Sequence, residues 1–286
     1  MFGFLNINKP KGMTSHDVVS FLRRILKIKQ IGHSGTLDPL ATGVLPIALG
    51  KATRLIEYLS AEKEYIAVLK FGVISDTYDS EGKILQYSDL KISAKQVESF
   101  LPVFIGEITQ VPPIYSAVHY QGKRLYELAR SGVNIEEVPS RNVIVNNVKL
   151  IDFNYELQTA KLKINCQKGV YIRSIVHDLG QMLEAGAIMT DLIRTVSSGF
   201  AINNSIVLDN NLNYDVIKNR LINPIDVLLY NQKTISSDDF NKVKNGASIK
   251  NSEFINNTKV LLIYDEKIVA VGEAEDNLIR ICKVFL

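Results

Sequence analysis

A carboxylate set among glycines and a proline is the residue of this chain best suited to chemistry. Asp38 lies in GHSGTLDPLATGVL, which runs from Gly32 to Leu45. Pro39 steers the backbone of Asp38 away from the helical region toward an extended conformation. Gly32, Gly35 and Gly43 admit tight turns that other residues resist. A carboxylate presented in this way faces a ligand from a loop, and in its ionised form it can act as a nucleophile or an electrostatic stabiliser. An Asp-Pro dipeptide alone is an ordinary surface turn. The length of the string around it separates the two readings.

Two more strings carry chemically suggestive groups. PPIYSAVHYQGKRLYELAR (112–130) interleaves Lys123, Arg124 and Arg130 with Tyr115, Tyr120 and Tyr126, the mixture of cations and aromatics that single-stranded RNA binders use. Taken alone, its second half is equally an amphipathic helix with exposed arginines. CQKGVYIRSIVHDLG (166–180) passes from a strand through Gly169 into helical spacing at Ile172, Ile175, Val176 and Leu179. His177 in that helix is read as structural or surface and carries no assigned chemistry.

Elements that could position these groups follow from periodicity and punctuation. A strand over Phe4–Asn8 ends at Lys9-Pro10-Lys11-Gly12. Thr14 and Asp17 form a capping box, and Val18, Phe21, Leu22, Ile25 and Leu26 recur at helical spacing behind it. Ala52–Ser60 reads as a helix, Glu64–Gly72 as a strand and Asp76–Gly82 as a polar turn. Lys83–Tyr87 reads as a strand, Ser93–Pro102 as a helix and Phe104–Val111 as a strand. The third string starts from a strand at Leu162–Cys166 and gives a helix over Ile172–Leu183. Within 112–130, a strand (Tyr115–Tyr120), a Gln121-Gly122 turn and a helix (Lys123–Arg130) stopped by Gly132 are expected. Beyond Asn223-Pro224 a capped helix (Ser236–Lys244) precedes strands at Val260–Asp265, Lys267–Glu273 and Ile279–Leu286. The fold class is α+β, with a mixed, mainly antiparallel sheet rather than a doubly wound parallel one.

Composition sets bounds on function. A chain of 286 residues holds one large domain and a small one. No apolar run reaches membrane-spanning length, and a Pro-Gly-punctuated start leaves no room for a signal peptide. Cys166 and Cys282 stand at no metal-like spacing, so neither a disulfide framework nor a zinc site is indicated, and a reducing cytoplasm fits. Net charge is only +3, yet residues 1–60 hold eight basic against three acidic residues, +5 for that segment and −2 for the rest. Such a basic face beside Asp38 would attract phosphates, although basic runs are as often solvated helix faces.

The long string continues GVLPIALGKATR and resembles the signature of the TruB family of standalone tRNA pseudouridine synthases, GHxGxLDPxAxGxLPxxxGxATK/R. The opening NKPKGMTSHDVV, the 112–130 string and the 166–180 string are similar to further motifs of that family, so the resemblance covers residues 5–200. It implies a pseudouridine-synthase catalytic domain over 1–222, with a thumb-like insertion at about 112–141 that closes over the tRNA T-arm. A small PUA-like β-rich domain over 223–286 follows, for which a generic stabilising module is an equal reading.

The implied reaction converts the uridine conventionally numbered 55 to pseudouridine without a cofactor or metal. It acts on the T-arm stem-loop, without a membrane or an obligatory protein partner, in a monomer. By the same resemblance Asp38 is the catalytic aspartate, Arg173 its ion-pair partner and Tyr65 the ring that stacks on the everted base. Tyr171 is a further active-site residue and His33 helps to hold the flipped-out state. Leu192 packs against the base. Lys9, Lys123, Arg124, Arg130 and Arg194 are the associated substrate contacts. Ile193 stands where the family has a second Arg, so no phosphate contact is expected from it. Whether Asp38 attacks ribose C1′, assists deprotonation toward a glycal, or adds to C6 stays open. A non-catalytic tRNA-folding chaperone and a guide-RNA-dependent synthase are the alternatives.

Overall fold

Strand β1 (Gly3–Lys9) shows how the chain builds its layers. Leu5 and Ile7 turn to one face of the sheet and Phe4 to the other, as the period of two requires, and all three are fully buried. The computed structural model describes residues 1–131, 133, 138–209 and 211–285; the side chain of Arg130 is outside that set, as is Gly132, the expected helix stop.

After β1 come helix α1 (Ser15–Leu26), strands β2 (Ile31–His33) and β3 (Thr42–Leu49), a 3-10 helix (Gly50–Tyr58) and β4 (Lys63–Phe71). A small hairpin of β5 (Val73–Ser75) and β6 (Ile84–Tyr87) leads to α2 (Ala94–Phe100) and β7 (Gly106–Gln110). The segment that follows holds β8 (His119–Tyr120), β9 (Lys123–Arg124) and α3 (Leu125–Arg130). Then come β10 (Arg141–Asn154), β11 (Thr159–Cys166), α4 (Ile172–Met182), β12 (Ala187–Ser197), β13 (Phe200–Ala201), β14 (Ile206–Val207) and α5 (Tyr214–Asn219). The main sheet runs β14-β1-β3-β12-β4-β11-β10-β7, with β2 added to β3 and β13 to β12. Only the β1–β14 and β3–β12 pairs in it are parallel.

Several local expectations are met for local reasons. The Thr14–Asp17 capping box starts α1 as expected, and α2 starts after Ser93 as expected, through a second capping box with Gln96. Others are corrected. The helix read at Ala52–Ser60 is a 3-10 helix over Gly50–Tyr58. Pro102 does not stop α2 but sits in a following 3-10 turn, Leu101–Phe104. Gly32 lies within β2 rather than in a turn. The strand read at Tyr115–Tyr120 shrinks to His119–Tyr120, because the carbonyls of Tyr115 and Ser116 accept from Arg173 and from the Tyr126 N–H instead of a ladder.

On one face of the main sheet, α1, α2 and α4 cover Leu5, Ile7, Leu45 and Leu69 in the larger core. Its other face meets the C-terminal part of the chain. Strands β15 (Asn231–Thr234), β16 (Ile249–Lys250), β17 (Lys259–Tyr264), β18 (Lys267–Glu275) and β19 (Leu278–Val284), with helix α6 (Ser237–Val243), form a five-stranded sheet ordered β15-β17-β18-β19-β16. Leu261, Val271 and Phe285 from it share one buried cluster with Phe4, Val44, Ala48 and Leu55. The small sheet is thus packed onto the back of the large one, away from the helical layer that carries Arg173.

Candidate active site

The loop holding Asp38 is fixed at its base by bonds from α1 and from the Lys9 turn. Ser15 Oγ accepts from the Leu37 N–H at 2.9 Å and lies 3.2 Å from the Leu37 carbonyl, to which it donates. The Gly12 N–H donates to the Pro39 carbonyl and the Ala41 N–H to that of Asp38. Leu37, Leu40 and Ala41 are buried anchors on either side. What remains free to face outward is the Asp38 carboxylate, 36% exposed.

Its partner comes from the first turn of α4. Tyr171 precedes that helix, and the Gln110 amide grips its backbone twice, accepting from the N–H at 2.8 Å and donating to the carbonyl at 3.1 Å. Two residues on, the buried Arg173 guanidinium gathers three segments. Nη2 lies 3.0 Å from Asp38 Oδ2 and donates to the Tyr115 carbonyl at 3.1 Å. Nη1 donates to the Thr77 carbonyl at 3.1 Å and lies 3.4 Å from Asp79 Oδ2. A guanidinium offers five donors in a planar fork, and here it serves two carboxylates and two carbonyls at once. Asp79 is held in turn by the Thr77 hydroxyl at 2.5 Å and the Glu81 N–H at 3.0 Å. The result is a half-open carboxylate oriented by a buried cation whose other side is balanced by a second, buried acid.

Lys9 and Arg194, expected among the substrate contacts, take a different part. Both are fully buried. Lys9 Nζ donates to the carbonyls of Met13 (2.6 Å), Pro10 (3.0 Å) and Pro39 (3.4 Å), and burial brings its pKa down to about 8. Arg194 donates from Nε to the Val44 carbonyl at 2.7 Å, from Nη2 to Gly35 at 3.1 Å and from Nη1 to Thr36 at 3.4 Å. Gly43 makes this approach possible, since at φ +101° a Cβ there would lie 2.3 Å from the Arg194 carbonyl. These two cations brace the Asp38 loop from below instead of reaching out to a ligand.

With that geometry in view, the comparisons with known proteins are decisive. Residues 23–172 match the model of the TruB family pseudouridylate synthases, N-terminal domain. The chain belongs to this family. The tRNA pseudouridine synthase B of Clostridium tetani is 40% identical over 294 residues, covering all of both chains. That of Synechocystis sp. is 48% identical over 210 residues, 73% of this chain and 71% of the relative. Among solved structures, a chain of "Crystal Structure of a Cbf5-Nop10-Gar1 Complex" superposes with a TM-score of 0.74 at 25% identity, over all of this chain and 85% of that one.

The structure places the remaining expected residues of this TruB-family chain as follows. Tyr65, on β4, is 6% exposed and sits opposite Arg194 on β12; burial raises its phenol pKa, so the hydroxyl keeps its proton at neutral pH. Leu192, two residues before Arg194 on β12, is buried in the same core as Tyr65. His33 ends β2, and burial, then the charge of Arg194, lower its pKa toward the neutral imidazole. Tyr171 is half-buried at the mouth of α4. Lys123 and Arg124 are exposed on the β8–β9 hairpin, whose Gln121 and Gly122 both have positive φ. Arg130's side chain is outside the described residues. His177 stacks on the ring of Tyr78, centroids 3.8 Å apart.

Sequence reasoning missed Asp79, Gln110 and Ser15. Asp79 stood in a polar turn with nothing to mark it off from Asp76. For Ser15 a signal existed, since it begins the inward face of α1.

Proposed function

We propose that this pseudouridine synthase converts uridine 55 in the T-loop of tRNA, with Asp38 as the nucleophile. The observation that carries this is a carboxylate open on one side and held by a buried guanidinium on the other. Such a pair fixes the direction of the carboxylate and leaves one of its sides open to a ligand. The uridine leaves its stack at a cost of a few kcal/mol, offset by phosphate contacts and stacking on Tyr65. The bond from N1 to ribose C1′ breaks, the freed uracil turns, and C5 joins C1′. The proton displaced from C5 leaves and N1 gains one, so the isomerisation is redox-neutral. Asp38 takes up C1′ as N1 leaves and gives it back to C5, or it assists removal of the ribose C2′ proton toward a glycal and returns that proton when C5 joins C1′. The Tyr65 phenol, protonated at neutral pH, serves as a relay for the C5 proton rather than as a phenolate base.

On this reading His33, Tyr171 and Leu192 contact the everted nucleotide. Lys123, Arg124 and Arg130, in an insertion over 112–141, meet the T-arm backbone. Residues 223–286 form a PUA-like support, and Lys9 and Arg194 act as positioning residues. On this reading the enzyme works as a monomer without guide RNA or protein partner; full-length similarity to relatives named tRNA pseudouridine synthase B favours tRNA as the substrate.

The test is direct. Purified protein is incubated with an unmodified tRNA transcript and the product mapped for pseudouridine. A single modified site at uridine 55 is expected. Binding without conversion, or conversion only with added guide RNA or protein, would overturn the reading.

A further inference from the structure

Lys63 is a cation at the edge of the site that the mechanism leaves without a task. It opens β4 two residues before Tyr65, so both side chains stand on one face of the sheet. Its ammonium lies under the Asp38 loop, where a Cβ at Gly35 would come within 2.8 Å of Nζ. Among the described residues no carboxylate pairs with it and no acceptor takes its protons. The charges that bear on it are Arg194 and Lys168, both positive; the neighbouring Cys166 thiol, pushed up to about 12 by burial, stays neutral. Burial and Arg194 bring Lys63 itself down to about 8. Of the two acids adjacent in sequence, Glu62 is exposed and forms no ion pair with Lys63 among the described residues, and Glu64 points to the opposite face and is engaged by Lys163, Thr195 and Asn165.

Polar atoms around this ammonium are equally unmatched. Ser197 is the direct cross-strand neighbour of Lys63, so its hydroxyl shares that face. Ser34 precedes Gly35 on the loop above. Both serines are more than nine-tenths buried, and both hydroxyls lack a hydrogen-bond partner among the described residues, as does His33 Nδ1. Buried polar groups are normally satisfied, and an unpaired half-buried cation costs stability. A cluster consisting of one ammonium and two free hydroxyls, with no anion, is chemically matched to an oxyanion.

We propose that Lys63, with the hydroxyls of Ser34 and Ser197, forms a seat for a phosphodiester oxygen of the RNA strand next to the everted uridine. The proposal rests on the T-loop reading above, because the seat adjoins the face that carries Tyr65 and the loop that carries Asp38. Its function is to hold the strand by a backbone oxygen while the base is turned out, a contact that fixes position and carries no sequence information.

The experiment measures equilibrium binding of an unmodified T-arm stem-loop across a KCl series, for the wild type, Lys63→Met and Lys63→Arg. Losing one phosphate contact lowers the log–log salt slope by about 0.7–0.9 and weakens binding about fivefold near 0.1 M salt. Lys63→Met is expected to show this loss and Lys63→Arg to keep most of the slope. Lys63→Met should melt no lower than the wild type, since an unpaired charge has been removed. Stem-loops carrying one neutral methylphosphonate at successive T-loop linkages then locate the contact. One of the linkages that weaken the wild type should leave Lys63→Met unaffected, and Lys63→Arg, which keeps the charge, should repeat the wild-type profile and so keeps the test decisive if Lys63→Met folds poorly. An unchanged slope in Lys63→Met, or identical methylphosphonate profiles, would overturn the proposal. So would inorganic phosphate protecting the wild type over Lys63→Met while the RNA slope stays the same, which would assign the seat to a free anion. Failure to convert uridine 55 with the slope difference intact would count against the T-loop reading alone.

Discussion

Replacing Arg194 by lysine keeps a charge and removes a shape, and the structure says what that shape is worth. The guanidinium spans three carbonyls, Val44, Gly35 and Thr36, from two sides of the Asp38 loop. An ammonium at the end of a single stem cannot reproduce that fork and retains at most one of the three. Hydrogen bonds to charged groups contribute about 1.5–3 kcal/mol each. The two bonds to Gly35 and Thr36 are only part-buried, so the lower figure applies and the loss is about 3 kcal/mol. Unfolding entropy near 2.1 cal/mol/K per residue makes this about 5 °C in melting temperature for a chain of this length. Activity should fall further than stability suggests, because the loop that aims Asp38 loses its brace, and a misplacement of about 1 Å costs on the order of 100-fold. The assay pairs calorimetry with single-turnover conversion of a T-arm stem-loop. Arg194→Lys is expected to melt about 5 °C lower and to lose 10- to 100-fold in rate, as an order of magnitude, with RNA affinity held within a few fold. A variant that melts and turns over like the wild type would refute the bracing role.

Three other outcomes follow from the same geometry. Asp79→Asn leaves an amide where Arg173 now finds a buried carboxylate 3.4 Å away. Removing one partner of a buried pair costs about 3–5 kcal/mol, so the variant should melt lower. Because Arg173 aims Asp38, its displacement should also slow single-turnover conversion, by up to about 100-fold for a shift of about 1 Å, with RNA affinity kept; an unchanged rate would count against Asp79. Leu261→Ala opens a cavity in the cluster shared by the two sheets and should cost about 2–5 kcal/mol. Calorimetry should show one shifted transition for the whole chain rather than two. Asp178 is pushed up to about 6 by burial, above its unfolded value, so its ionisation penalises the folded state. That penalty is absent at pH 4 or below, grows as pH rises toward about 6, and is complete above it. Asp178→Asn should therefore raise the melting temperature at pH 8 and leave it nearly unchanged at pH 4.

What the sequence disclosed, and what it hid, divides along the range of the interactions. The capping box at Thr14, the helix start at Ser93 and the turn at Gln121-Gly122 are decided within a few residues, and all three form as read. The Asp38–Arg173 pair spans 135 positions and was legible only through the resemblance of two strings to one family; the 3.0 Å contact supplies its physical content. The family resemblance assigns Lys9 and Arg194 as substrate contacts, yet both are fully buried. Arg194 stands two residues from the buried Leu192 on β12, the spacing of one sheet face, and that alternation pointed inward. The strand at Tyr115–Tyr120 failed because its carbonyls are needed by Arg173 and by α3, a tertiary demand that β-propensity does not register. Likewise β12, which lies between β3 and β4 in the main sheet, depends on partners more than 100 residues away.

The central claim is that the charge on Asp38 performs the isomerisation and that its shape alone does not. Asp38→Asn, assayed by mapping pseudouridine in unmodified tRNA alongside RNA affinity, tests this most directly. The account predicts no detectable product at uridine 55 with affinity within a few fold of the wild type. Turnover by Asp38→Asn at a rate comparable to the wild type would contradict it.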